Sequence, residues 1–232
     1  QFDSLIMAAG FWADVARTGG QDTGYARLGR VQPLVDDAAV ALARTRSESA
    51  KTLWQELAEW RVCPADEVPG LSLRSPTGMV VHDTLTARLS PRRAGAALVA
   101  AITALGGEIR RGATPPPDMP VIWATGAAGL LVLGDDLGVP MGGAVKGQAA
   151  LLEADWRNAP QVFADGLHLV PHADGTLAIG STSERKFSAP DTTDDQLENL
   201  IHRARALSPD LAGARVLERW AGLRPRSPSR AP

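Results

Sequence analysis

Apolar residues first recur at helical spacing. Phe2, Leu5, Ile6, Ala9 and Val15 share one face of a helix predicted over 2–18, and Gly19-Gly20 stops it. A strand over 25–35 is predicted around Leu28, Val31, Leu34 and Val35. Asp36-Asp37 caps a helix that runs with a charged face to about residue 60. Pro64, Pro69, Gly70 and Pro76 mark a long loop, and Met79-Val80-Val81 a short strand. Ser90-Pro91 opens a helix, with Ser as N-cap and Pro at the first helical position. That helix, over 91–105, is expected to turn Leu98, Ile102 and Leu105 to one side before Gly106-Gly107 ends it.

The second half alternates faster. Glu108-Ile109-Arg110 reads as a short strand, and Pro115-Pro116-Pro117 as a stiff linker. Val121-Ile122-Trp123 reads as a compact buried strand running into Thr125-Gly126-Ala127-Ala128-Gly129. A strand over 144–152 is expected to break at Gly147. Two strands are predicted within 162–180, joined by a hairpin turn at 173–176. Thr193 with Gln196 forms a capping box, and Leu197, Leu200, Ile201, Ala204 and Leu207 give the stripe of a helix packed on a sheet. Ser208-Pro209 ends it, and a last strand covers 215–220. The interleaving of helices with at least one antiparallel hairpin predicts an α+β fold, a mixed and largely antiparallel sheet flanked by helices. No internal repeat or low-complexity tract occurs.

Composition narrows the partners. The 232 residues suffice for one large domain or two small ones, with 44% hydrophobic and 22% charged residues. A net charge of −2 and no basic block give no reason to expect nucleic acid. Cys63 is alone, which excludes an intrachain disulfide and a thiolate cluster; it reads as a small residue before a proline turn. Of His82, His168, His172 and His202, only His168 and His172 have a ligand-like spacing. No third ligand is evident, so no metal is expected. No 18-residue apolar run and no basic-then-apolar leader occur, so neither a membrane span nor a signal peptide is read and a cytoplasmic setting is expected. Gln1 opens the chain, and both ends read as boundaries within something longer.

One cation stands out. Arg224 sits between Gly-Leu and Pro, closing an apolar run of Val216, Leu217, Trp220 and Leu223. A guanidinium at the rim of a core is costly to leave unpaired, and its rigid fork suits a carboxylate.

Three groups of residues, taken in order, carry a family likeness: Val121 to Gly126; Val145-Lys146-Gly147-Gln148; and the series Leu167 to Pro171, Asp174-Gly175, Ile179 to Glu184, Pro209, and Trp220 to Pro225. Together they resemble the D-amino-acid oxidase superfamily of FAD-dependent oxidoreductases, glycine-oxidase-like members most closely. The likeness is good over 78–232 and looser over 1–77. The family's opening G-x-G-x-x-G unit, which holds the pyrophosphate, has no match here, nor has its closing Gly-rich segment. The resemblance therefore implies a substrate-binding domain with part of an FAD-binding domain. Its first part is 1–111, a crossing into the FAD-binding remnant is 112–140, its second part is 141–220, and a return to the FAD-binding domain begins at 221–232.

The implied reaction is oxidation of the C–N bond of an amino acid or secondary amine by FAD in the full-length protein, with O2 as acceptor. The partner is thus a small-molecule amine, and homo-oligomerisation is left open. By the resemblance Arg224 is the substrate-carboxylate clamp, His168 and Ser183 line the substrate pocket, and Ala124, Thr125 and Gly126 approach the cofactor. His168 falls where relatives carry an aromatic, often tyrosine, and a histidine there accepts a polar or acidic substrate group. Lys146-Gly147-Gln148 is read as structural, with Gly147 at a bulge. Two alternatives remain open: an isolated substrate-domain piece without flavin or activity, and a dehydrogenase-type member of the same superfamily.

Overall fold

The computed structural model describes residues 2–112 and 118–227. The Pro115–Pro117 linker lies outside the described residues. Five α-helices are present among those described: α1 (Phe2–Gly19), α2 (Asp37–Trp54), α3 (Pro91–Ala104), α4 (Gly126–Leu137) and α5 (Asp195–Leu207). The strands are β1 (Arg30–Pro33), β2 (Trp60–Pro64), β3 (Met79–Asp83), β4 (Gly143–Glu153), β5 (Gln161–Ala164), β6 (Leu167–Pro171), β7 (Thr176–Gly180) and β8 (Val216–Arg226). They form one eight-stranded sheet in the order β2-β3-β1-β5-β6-β7-β4-β8. Only the β1–β5 pair is parallel, so the mixed, largely antiparallel α+β expectation holds.

Register explains the core. Val31, Val162, Leu169, Ile179 and Ala150 pair in turn across five strands, and all are at most 1% exposed. Paired residues point to the same side of a sheet, so this row makes one apolar face. α5 covers it with the predicted stripe, Leu197, Leu200, Ile201 and Ala204, all buried. Its cap is one residue later than expected: the Asp194 carboxylate accepts from the Gln196 N–H at 3.0 Å. On the other face α2 covers only the β2–β3–β1 end, through Ala43 against Leu34 and Val81. At the far end of the sheet α4 packs on β8 and β4, and α3 reaches β8 through Arg92, which pairs with Glu218 and stands over the Trp220 ring.

Several local expectations differ. The first strand is shorter than 25–35, because Gly29 at φ +81° packs its Cα against the Asp83 carbonyl and turns the chain into β1. Residues 60–64, assigned from sequence to a helix end and loop, form edge strand β2, with Cys63 buried in it. The 162–180 region holds three strands, not two, because Asp165 (φ 47°) and Gly166 (φ 75°) make a second tight turn. No strand forms at 108–110. Val121-Ile122-Trp123 is neither a strand nor buried; Ile122 is 94% exposed, for no neighbouring strand among the described residues pairs with it. α3 buries Ala94, Ala97 and Ala101 rather than Ile102 and Leu105.

Candidate functional site

Alternation along β4 places Lys146, Gln148 and Ala150 on the α5 side and Val145, Gly147 and Ala149 on the open side. The open-side row runs Phe163, His168, Gly180, Ala149 and Trp220 across β5, β6, β7, β4 and β8. Gly147 pairs with Gly222, and Val145 with Arg224, so Arg224 belongs to the same face. The ladder runs unbroken through Gly147, and the irregularity falls at Leu151/Leu152; the bulge expected at Gly147 is thus misplaced. Gly147 has another use. A Cβ there would lie 3.1 Å from Arg224 Nη2 and 3.2 Å from its Cζ, so the glycine makes room for the guanidinium.

Arg224 is exposed but held. Nη1 donates to Ser181 Oγ at 3.0 Å and Nη2 to the Thr182 carbonyl at 2.6 Å. Both acceptors are neutral, and the guanidinium has no carboxylate partner among the described residues. A surface salt bridge, the ordinary role of an exposed arginine, thus finds no partner for it among the described residues. A guanidinium carries five N–H donors, so the fork retains donors for an anion.

His168 shares this face, with its ring 4.7 Å from Phe163. Burial and the nearby Arg30 cation hold its pKa below the ordinary 6.5, which favours the neutral imidazole. Arg30 stands 6.0 Å over the Phe163 ring and 3.2 Å from the buried Asp83 carboxylate. Ser183 lines a shallow groove beside α5 with Ser181, Thr182, Gln196 and Arg203, and so adjoins the two acceptors of Arg224. Ala124, Thr125 and Gly126 lead into α4, which packs on β8 and β4. Thr125 is the N-cap but makes no side-chain cap bond, and Gly126 (φ 65°) has open space where a Cβ would stand.

Sequence reasoning missed the support under Arg224. Ser181, Thr182 and Glu184 were part of a family-like run without assigned roles, and their only local signal was a polar cluster straight after an apolar strand. Among the described residues no group of His, Cys, Asp and Glu has the arrangement of a metal site, and no helix is long and apolar enough to cross a membrane.

Known proteins supply an independent comparison. A glycine oxidase of Pseudomonas putida is 42% identical over 89 residues, which cover 38% of this chain and 24% of that protein. A glycine oxidase of Pseudomonas aeruginosa is 39% identical over the same length. The matched stretch thus spans about a quarter of each relative. The crystal structure of iminodiacetate oxidase from Chelativorans sp. BNC1 superposes with a TM-score of 0.81 at 21% identity, over 96% of this chain and 67% of that one. Glycine oxidase from Geobacillus kaustophilus superposes at 0.74, also at 21% identity, over 99% of this chain and 67% of that one. These structures show the fold. The family model described as FAD dependent oxidoreductase (DAO) matches residues 3–232, and the chain belongs to that family.

Proposed function

We propose that the protein oxidises the C–N bond of an amino acid or secondary amine, and that Arg224 holds the substrate carboxylate. One observation carries the reading. A guanidinium without an ion-pair partner among the described residues lies over a glycine floor, on the sheet face that it shares with His168. The likeness to glycine oxidases and iminodiacetate oxidase supports it, since those names denote amines that carry carboxylates.

The described residues fit the substrate side of such a site and only one edge of a dinucleotide site. The edge is the turn into α4, where Ala124, Thr125 and Gly126 leave the backbone open to close approach. A Gly-rich pyrophosphate turn is absent from the sequence. FAD, when bound, supplies the hydride acceptor, and O2 is the oxidant we assign to its turnover. The work of this chain is positional. Arg224 fixes the carboxylate by two-point hydrogen bonding, which orients the hydrogen on the carbon bearing nitrogen. His168, neutral, presents a ring nitrogen to a polar substituent of the substrate. The small side chains of Gly147, Ala149 and Gly180 leave space between the two.

Arg224→Ala in the holoenzyme tests this. KM for a carboxylate-bearing amine is expected to rise about 10- to 100-fold, the worth of a hydrogen bond to a charged group. Unchanged kinetics would remove the clamp assignment. Absorbance of this purified chain in the flavin bands tests whether these residues hold flavin by themselves.

A further inference from the structure

Arg224 takes its aim from a segment with few sheet bonds of its own. β7 ends at Gly180, and residues 181–184 run on beside β4. There Lys146 and Glu184 exchange two backbone bonds, each of 2.9 Å. Side chains on the α5 side of β4 complete the hold. The buried Gln148 donates from its backbone N–H to Thr182 Oγ1 at 2.9 Å, and its carbonyl accepts from the Thr182 N–H at 3.3 Å. Its amide donates to Glu184 Oε1 at 3.0 Å and to Asp194 Oδ1 at 2.8 Å, and accepts from the Asp194 N–H at 2.8 Å. The Thr182 hydroxyl donates in turn to Glu184. Lys146 Nζ stands 3.6 Å from Glu184 Oε2.

Thr182 is therefore fixed through its N–H and its hydroxyl, while its carbonyl receives Arg224. The lysine and the glutamate are almost wholly buried, with side chains 4% and 8% exposed. A buried ion pair is weak evidence of net stability, because desolvation offsets its attraction. What such a network does supply, once every member is satisfied, is a single geometry. Burial pushes the Glu184 carboxyl up, but hydrogen bonds from Thr182 and Gln148 and the Lys146 charge outweigh it and hold the group ionised.

We infer that Thr182, Glu184 and Gln148 are positioning residues for Arg224: a buried network on one face of β4 fixes Thr182, whose carbonyl is one of the two acceptors that aim the guanidinium on the other face. The inference rests on the proposed clamp role of Arg224. Thr182→Val keeps the shape and the carbonyl but removes the hydroxyl. In the holoenzyme, KM for an amino acid and the inhibition constant of acetate are both expected to rise roughly 10-fold, with kcat within about 2-fold. Thr182→Ser is expected to restore both. In an Arg224→Ala background, Thr182→Val should add nothing, since its route to the carboxylate is gone.

An effect of Thr182→Val on kcat and melting temperature alone would overturn the inference. So would an acetate effect that persists in full without Arg224. If Arg224→Ala by itself leaves acetate inhibition unchanged, the clamp reading fails first, which is a separate outcome. Should Thr182→Val not fold, Glu184→Gln, which keeps the side-chain shape while discharging it, carries the same comparison.

Discussion

At the scale of single residues, Gly147 and Arg224 are one device. The glycine was visible in the sequence, and its effect on the strand was misjudged, because composition alone does not say whether a strand glycine bends the backbone or admits a neighbour. The ladder pairs Gly147 with Gly222 without interruption, and the guanidinium fills the space. Gly147→Ala is expected to keep the fold, for the nearest contact, at 3.1 Å, is with the end of a flexible side chain, and the Thr182 carbonyl at 3.3 Å needs to give by only a few tenths of an ångström. The fork would have to move by a few tenths of an ångström or more. We expect a rise of several-fold in KM for carboxylate substrates, with a change in unfolding free energy below about 1 kcal/mol. Steady-state kinetics beside chemical denaturation check this, and unchanged KM would mean that the glycine serves the strand alone. Arg224 itself was legible as a cation in an apolar context. Its acceptors were not, since Ser181 and Thr182 reach it only through the register of β8 on β4, some 40 residues away in the chain.

At the scale of elements, α5 and α3 show why one amphipathic stripe could be read and another could not. α5 lies on a sheet, where large branched side chains fill the space, and its predicted face is the buried one. α3 lies close against α1: a Cβ on Gly19 would come within 2.7 Å of the Ala97 carbonyl and 2.8 Å of the Ala101 nitrogen. Close backbone approach selects alanine for the interface and leaves Ile102 and Leu105 outside, whatever their hydrophobicity. Three substitutions separate these cases by urea unfolding. Ile201→Ala is expected to cost about 2–5 kcal/mol, as a buried branched residue removed from the core. Ala97→Leu should cost about 1–3 kcal/mol through overpacking. Leu105→Ser, at a position 79% exposed, should stay within about 0.5 kcal/mol. A large loss from Leu105→Ser would restore the sequence-based face of α3.

At the scale of the whole molecule, the sheet has one face closed by α5 and one face partly open, and its ionisable groups divide in the same way between locked and wet. The α+β class and the sheet character were legible because alternating apolar positions and turn signals are local. The single parallel pair, β1 on β5, was not, for it joins residues about 130 apart that no short-range pattern links. The division makes a prediction for acid. His82 and His172 have pKa values held below the ordinary 6.5, first by burial; Arg61 adds to this at His82 against Asp83 and Glu59, and at His172 Asp174 opposes it more than either Arg88 or Arg93 alone adds to it. His168 shifts the same way, with less weight because its ring is more open to solvent. A histidine whose folded pKa is depressed binds its proton more readily when unfolded, so its contribution is intact above 6.5 and is lost as pH falls through the folded value. Carboxylates with depressed values act lower down. Glu184 and Asp174 contribute above their unfolded values of 4.5 and 3.8, and lose this as pH drops through the folded ones. The unfolding midpoint should therefore fall in two stages, the first beginning near pH 6.5 and the second below 4.5. Replacing His82 and His172 together by Gln should flatten the first stage and spare the second. A single acid transition confined below 4.5, unchanged in the double variant, would show that the histidines are solvated in the folded protein and contribute nothing to its pH response.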